Sequence, residues 1–215
     1  MIADSPDGVL RLAAGGLEVA LRQEHCYSRN STDNVRRYDR EVVVSELGRS
    51  LGVEVREGES VLASMVLLGA SMGGEARRCV LARPDSLLIA VTGEIAAFEL
   101  PSLRLTWRAA THAGTIFALH EIPGENGLIV HGEITIARVS RDGRIEWERS
   151  GRDIFTGKLC IDDEVVEVTG WEADVYRFRL SDGEILAGPP LTSAPASPPP
   201  SPPLRWVDRV AGWFR

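Results

Sequence analysis

The sequence has few cysteines, no excess of basic residues and no long apolar run. Its three cysteines lie far apart without a Cys-x-x-Cys pair, so neither a disulfide framework nor a zinc site is indicated. The 31 acidic residues outnumber the 24 basic ones, for a net charge of −7, which argues against nucleic acid as a partner. The longest apolar run, residues 61–70, is too short to span a bilayer.

Motifs for targeting and catalysis are missing as well. The first residues contain no basic leader followed by an apolar stretch, so we expect a cytoplasmic location. The nucleophile elbow, the zincin motif, the Walker lysine and the Rossmann glycines are all absent, so an enzyme is not indicated. His25 and Cys26 are adjacent, which on a strand points them to opposite faces. We expect the three cysteines to be free and mostly buried thiols.

The strongest pattern present is a repeat of 40 residues. The segment IAAFELPSLRLTWR ends near Trp107, and ITIARVSRDGRIEWER ends near Trp147 in the same local frame. A third copy, VYRFRLSDGEILAG, keeps the Asp-Gly turn but has Ala187 in place of the tryptophan. Short β-rich runs separated by turn residues fill each copy, which predicts an all-β antiparallel meander of four-stranded, blade-like units.

These copies resemble the repeats of pyrroloquinoline-quinone-type β-propellers, which read A-x-D-x-x-T-G-x-x-x-W. The resemblance covers about three units within residues 78–188. It implies that Trp107 and Trp147 pack between neighbouring blades, and that the turn glycines close hairpins. The vicinal cysteine pair and the metal ligands of quinoprotein dehydrogenases have no counterpart here, so no cofactor is expected.

The chain divides into four predicted regions. Residues 1–76 form a β region without the tryptophan frame, as either a degenerate blade or a small sheet packed on the repeats. Residues 77–188 form three propeller-like blades, an incomplete ring, and Gly73-Gly74 is predicted to be a flexible connection to them. Residues 189–203 are a proline-rich linker that favours polyproline II. Residues 204–215 segregate apolar from charged side chains at helical spacing, which predicts a short amphipathic helix.

One alternative function concerns the second blade. Strand alternation places His120, His131 and Glu133 on one side of the sheet, where two imidazoles and a carboxylate could hold a metal. The competing interpretation is two partly buried histidines at a blade interface. The loop 29–40, with four arginines, is predicted either to bind an anion or to be solvated.

The C-terminal segment is the main functional clue. A helix this short needs a surface that buries its apolar side, where Trp206, Val210, Trp213 and Phe214 would be the anchors. A groove on another protein, a membrane surface in weak contact, or an exposed edge of the same chain would each serve. The sequence therefore predicts a non-catalytic binding or scaffold module that recruits a protein. An enzyme or a small regulatory, immunity-type protein are the alternatives, and the oligomeric state stays open.

Overall fold

The structure, a computed structural model, describes residues 8–45, 48–91, 93–162 and 164–189 together with the backbone of 207–210. All regular structure in these residues is β, which confirms the predicted all-β class. Among the same residues there is no helix long and apolar enough to cross a bilayer. The strands follow the β-branched and apolar runs of the sequence, and turns occupy the glycine- and proline-containing segments between them.

The N-terminal sheet has six strands in the spatial order β1-β2-β4-β5-β3-β18. All neighbours are antiparallel except β3 and β5, which run parallel. The strands are β1 (Val9–Ala14), β2 (Leu17–Glu24), β3 (Arg40–Val43), β4 (Ser50–Glu57), β5 (Ser60–Leu68) and β18 (Val207–Val210).

Three consecutive antiparallel meanders of four strands follow, which confirms the predicted blades. Blade 1 contains β6 (Val80–Ala82), β7 (Ser86–Val91), β8 (Glu94–Glu99) and β9 (Arg104–Ala110). Blade 2 contains β10 (Ile116–Glu121), β11 (Leu128–Gly132), β12 (Thr135–Val139) and β13 (Ile145–Ser150). Blade 3 contains β14 (Leu159–Asp162), β15 (Val165–Thr169), β16 (Val175–Arg179) and β17 (Ile185–Ala187).

Apolar cores lie between successive sheets. One core joins the N-terminal sheet to blade 1, with Val53 and Leu67 on one side and Leu87 and Phe98 on the other. A second core joins blade 1 to blade 2, and a third joins blade 2 to blade 3. Each sheet thus buries its faces against its neighbours in chain order, as expected for stacked repeat units.

Each of the two repeat tryptophans lies between its own blade and the next one. The Trp107 indole Nε1 donates a hydrogen bond to the Arg141 carbonyl of blade 2 at 2.9 Å. A Cβ on Gly143 would lie 2.5 Å from the Trp107 ring, and the positive φ of 85° at this turn also favours glycine. Trp147 repeats the arrangement against blade 3, donating to the Leu180 carbonyl at 2.8 Å over Gly183. Both tryptophans therefore have the interblade position that the resemblance implied.

The central row on the outer side of blade 3 is polar. In blade 2 the strand register aligns Ile129 with Arg138, and Arg138 with Trp147, on the side that meets blade 3. The equivalent row in blade 3 is Glu167, Arg177 and Ala187. Arg177 Nε pairs with the Glu167 carboxylate at 2.8 Å on this exposed side. Terminal repeats typically carry polar outer faces, so the Glu167–Arg177 pair favours an interpretation of blade 3 as a terminal blade.

A loop covers the opposite end of the array. Tyr38 lies over Gly52 of the N-terminal sheet, where a Cβ would come within 1.9 Å of the phenol oxygen. The Tyr38 hydroxyl donates to Glu24 at 2.6 Å, and the Tyr27 hydroxyl donates to Glu41 at 2.9 Å. Burial and these carboxylates raise the pKa of both phenols. Most residues of the loop 29–40 are exposed, in line with the solvated alternative, and Tyr38 is its one buried residue.

Two smaller expectations are wrong. The Gly73-Gly74 segment packs closely on β10, because a Cβ on Gly74 would lie 2.2 Å from the Phe117 carbonyl oxygen. Such close backbone approach does not fit the predicted flexible connection.

The cysteines are free, but only Cys79 is buried, whereas Cys26 and Cys160 are exposed. Burial raises the pKa of the Cys79 thiol, so this residue is an inert core group.

Candidate functional site

A cleft of about 650 Å³ lies between blades 1 and 2 beside Trp107. Its volume falls in the range of small-molecule and short-peptide sites. Apolar side chains and the indole form part of its wall, and hydroxyl and charged groups from the turns of both blades form the rest. The lining residues are Arg83, Asp85, Ser86, Leu88, Ala97, Glu99, Leu100, Thr106, Trp107, Ser140, Arg141 and Asp142.

A difference between two equivalent positions opens this cleft. Ala97 stands directly across from Trp107 in blade 1, whereas Arg138 stands across from Trp147 in blade 2. The Arg138 guanidinium occupies part of the second interface, donating to the Leu180 carbonyl at 2.9 Å and to Glu146 at 2.6 Å. A methyl group cannot fill the same volume in the first interface. Trp107 therefore stays partly exposed, while Trp147 is only 5% exposed.

Most charged groups of the cleft already have a partner, either inside the cleft or next to it. The Arg141 guanidinium pairs with Asp85 and so connects blade 2 to blade 1 across the cleft. Hydrogen bonds from Arg104 and Ser102 lower the pKa of Glu99, and a hydrogen bond from Ser140 lowers that of Asp142. Both carboxylates are therefore ionised at neutral pH. Exposed ion pairs of this kind contribute little to stability and can exchange partners when a ligand enters.

The two histidines of the predicted metal face lie together on blade 2. His120 and His131 have ring centroids 6.0 Å apart, on diagonal rather than opposite positions. Glu133 lies just past the end of β11, and no group of three or more metal-binding side chains occurs within the described part of the chain. The structure thus offers no three-ligand metal centre at His120, His131 and Glu133.

His131 is buried and His120 half-buried on the side of blade 2 that faces blade 3. Among the residues that the structure describes, the Nε2 atoms of both rings have no hydrogen-bond partner. Burial, and next the charge of His120, lowers the pKa of His131 to about 4. Burial also lowers the pKa of His120. Both rings are therefore neutral at pH 7, which suits a packing role.

This burial predicts a loss of stability on acidification. The pKa of His131 is 6.5 as a free group and about 4 in the fold, so between these values the unfolded chain binds the proton more readily. The contribution is fully present above pH 6.5 and is lost as the pH falls through 4, by about 3 kcal/mol. Urea unfolding at several pH values in this window measures the slope.

The control for this prediction is a pair of variants. His131→Phe should flatten the pH dependence in that window, whereas His25→Phe, at an exposed histidine, should leave it unchanged. Carboxylates with lowered pKa values, such as Asp142 and Asp182, act in both variants, so the difference isolates His131. Equal slopes for wild type and His131→Phe would contradict the prediction.

The structure describes only part of the predicted C-terminal helix. Of residues 204–215 it includes Val207–Val210, and these four residues form a strand rather than a helix. The strand pairs antiparallel with β3, with Val207 opposite Val43 and Val210 opposite Arg40. An exposed sheet edge offers backbone groups for strand pairing, which competes with helix formation in so short a segment.

Three of the four predicted anchors, Trp206, Trp213 and Phe214, lie outside the described residues. Val210 is described through its backbone only. The sequence interpretation missed the cleft at Trp107. The 40-residue frame does not mark it, because Ala97 aligns there with Ala137.

Comparison with known proteins supports the fold. No protein-family model matches the sequence, and no curated protein is significantly similar to it. BamB from Moraxella catarrhalis is similar in structure, with a TM-score of 0.51 and 14% sequence identity over 87% of this chain and 63% of that chain. The computationally designed Ika8 protein matches with a TM-score of 0.50 and 10% identity over 83% of this chain and 60% of that chain.

The chain spans about three fifths of the length of these two structures. Identities this low carry no information on activity, because one fold supports many functions. The comparison agrees with the strand topology in identifying a propeller-like repeat fold.

Proposed function

We propose that this protein is a non-catalytic binding module that recruits another protein through its C-terminal segment, residues 204–215. The observation that carries the proposal is the pairing of β18 with the edge strand β3. It supports an extended peptide that adds to a sheet edge, one of the recurring modes of peptide recognition. Trp206, Val210, Trp213 and Phe214 are the proposed anchors.

The free energy of pairing between β18 and β3 should be small, which favours a contact that can open and re-form. A backbone hydrogen bond contributes about 1 kcal/mol net, and ordering one residue of backbone costs about 1–2 kcal/mol. A four-residue strand held by its backbone is therefore close to balance, so release of the segment is inexpensive. Released, the segment offers apolar anchors to a partner, and the edge of β3 becomes open at the same time.

A protein partner fits the charge distribution better than nucleic acid does. The segment 204–215 carries three arginines and one aspartate, whereas the whole chain has a net charge of −7. Aromatic and arginine side chains in one short segment are typical of interface hot spots. Weak contact with a membrane surface would use the same residues, and it is an outcome that the test below distinguishes. The cytoplasmic location stays a prediction.

We expect deletion of residues 204–215 to abolish capture of the partner while the blades stay folded. Affinity capture with full-length protein, the deletion, and a Trp213→Ala/Phe214→Ala variant, each followed by quantitative mass spectrometry, provides the measurement. A protein captured by the full chain should be lost in both variants and should bind a synthetic 204–215 peptide directly. Capture that survives the deletion, or peptide binding to anionic vesicles alone, would refute the proposal.

A further inference from the structure

We propose that residues 211–215, Ala-Gly-Trp-Phe-Arg, bind in the cleft between blades 1 and 2 of their own chain. This inference goes beyond the recruitment function, because it concerns where Trp213 and Phe214 lie when no partner is present. It depends on the direction of β18, on the position of the cleft, and on the match between the two in apolar character and charge.

The direction of β18 brings the chain to blade 1. The strand runs from Val207, opposite Val43, to Val210, opposite Arg40. The strand therefore ends beside Arg40. The Arg40 guanidinium in turn donates a hydrogen bond to the Leu103 carbonyl of blade 1 at 3.3 Å. The last five residues thus begin next to the turn that joins β8 to β9.

That turn borders the cleft. The Leu103 amide donates to the Glu99 carbonyl at 2.8 Å, and both Glu99 and Leu100 line the cleft. Five extended residues span about 16 Å, enough to pass one turn and enter the space beside Trp107. The length of the segment 189–206 does not restrict how far residues 211–215 can reach, because their path starts at the end of β18.

The cleft matches the segment in chemistry. Leu88, Leu100 and the partly exposed indole of Trp107 offer an apolar wall to one aromatic side chain of the segment. Asp85, Glu99 and Asp142 line the same cleft and offer carboxylates to Arg215. Arg215 can take Asp85 from its exposed pair with Arg141 at little cost, because such pairs contribute little to stability.

A disulfide trap tests the proposal on the full-length chain. In a Cys26→Ser/Cys160→Ser background, which removes both exposed thiols, Thr106→Cys is introduced in the cleft together with Phe214→Cys in the segment. The matched control joins Phe214→Cys to Val175→Cys, an exposed position on blade 3. We expect the cleft pair to form an intramolecular disulfide at least ~10-fold faster than the control pair, since docking raises the effective concentration. Non-reducing gels and intact mass follow the reaction.

A second substitution distinguishes specific binding in the cleft from random collisions between the two cysteines. Adding Trp213→Ala to the cleft pair should slow trapping several-fold, whereas Arg205→Ala, upstream of β18, should leave it nearly unchanged. Equal rates for cleft and control pairs, or a disulfide that forms only between two chains, would overturn the proposal. The assay uses the isolated protein, so its failure leaves the recruitment function untouched, and loss of partner capture leaves the cleft assignment untouched.

Discussion

Replacing Trp147 by alanine is expected to lower the free energy of unfolding by about 3–5 kcal/mol. The side chain is 5% exposed, stands between blades 2 and 3, and has its ring centroid 6.3 Å from that of Phe178. Its indole also donates to the Leu180 carbonyl, so the substitution leaves a buried acceptor without its partner. Blade 3 should depend on its interface with blade 2 more than the other blades depend on any one interface. The side of blade 3 that faces away from blade 2 has no apolar neighbour among the described residues.

Chemical denaturation followed by circular dichroism measures this effect. The matched control is Trp171→Ala, because Trp171 is 66% exposed and its replacement should change stability by no more than about 0.5 kcal/mol. Trp107→Ala should fall between the two, since the cleft already leaves that indole partly exposed. A loss below about 1 kcal/mol for Trp147→Ala would show that the blade interface does not depend on the repeat tryptophan.

We expect two reciprocal substitutions, one on blade 2 and one on blade 3, to change the free energy of unfolding by very different amounts. Ile129 and Glu167 occupy equivalent positions in blades 2 and 3. Ile129 is fully buried, so Ile129→Glu places a charge in an apolar core and should cost more than about 3 kcal/mol. Glu167→Ile should leave the free energy of unfolding within about 1 kcal/mol, because that site is solvated.

The Glu167→Ile variant should instead associate with itself. The substitution removes the partner of Arg177 and extends the apolar surface around Val165 and Val175 on the outer side of blade 3. An apolar terminal face then offers a site for another blade. Sedimentation velocity over a range of concentrations detects this, with Glu172→Ile, at an exposed turn of the same blade, as the control. A monomeric Glu167→Ile protein would contradict the terminal-blade interpretation.

The repeat frame was sufficient to predict the blades because each strand has a local signal. Alternating apolar residues, β-branched content and turn glycines act within about ten residues of one another. The interblade position of Trp107 and Trp147 came from the family resemblance, and Gly143 and Gly183 show why the frame holds: no side chain fits beneath the indole.

The cleft could not be predicted in the same way. In the sequence, Ala97 aligns with Ala137 in the 40-residue frame, which suggests equivalent surroundings. The Glu99–Arg104 pair of blade 1 encloses four turn residues, whereas the Ser140–Arg144 pair of blade 2 encloses three, and this difference changes which residue stands across from each tryptophan. A one-residue difference in register is a property of the paired strands, so it has no signature in a single sequence.

The conformation of the C-terminal segment likewise depends on more than its local sequence. Its side chains segregate at helical spacing, yet the described residues pair as a strand. The outcome depends on whether an open edge such as β3 lies within reach, and β3 itself joins the sheet through a parallel, non-local contact with β5. Local propensity in so short a segment is a few tenths of a kcal/mol per residue, which one sheet edge can override.

The sequence by itself determined the β class and the division into four-stranded repeats, because these follow from short-range patterns of burial and turn formation, and the family resemblance implied the interblade position of the tryptophans. Only the tertiary structure showed that Glu167 and Arg177 lie on the outer side of blade 3, that Ala97 stands across from Trp107 beside a cleft and that Val207–Val210 pair with β3. Each of these depends on which residues face one another across separate elements, and that pairing is set by register and packing over long separations in the chain.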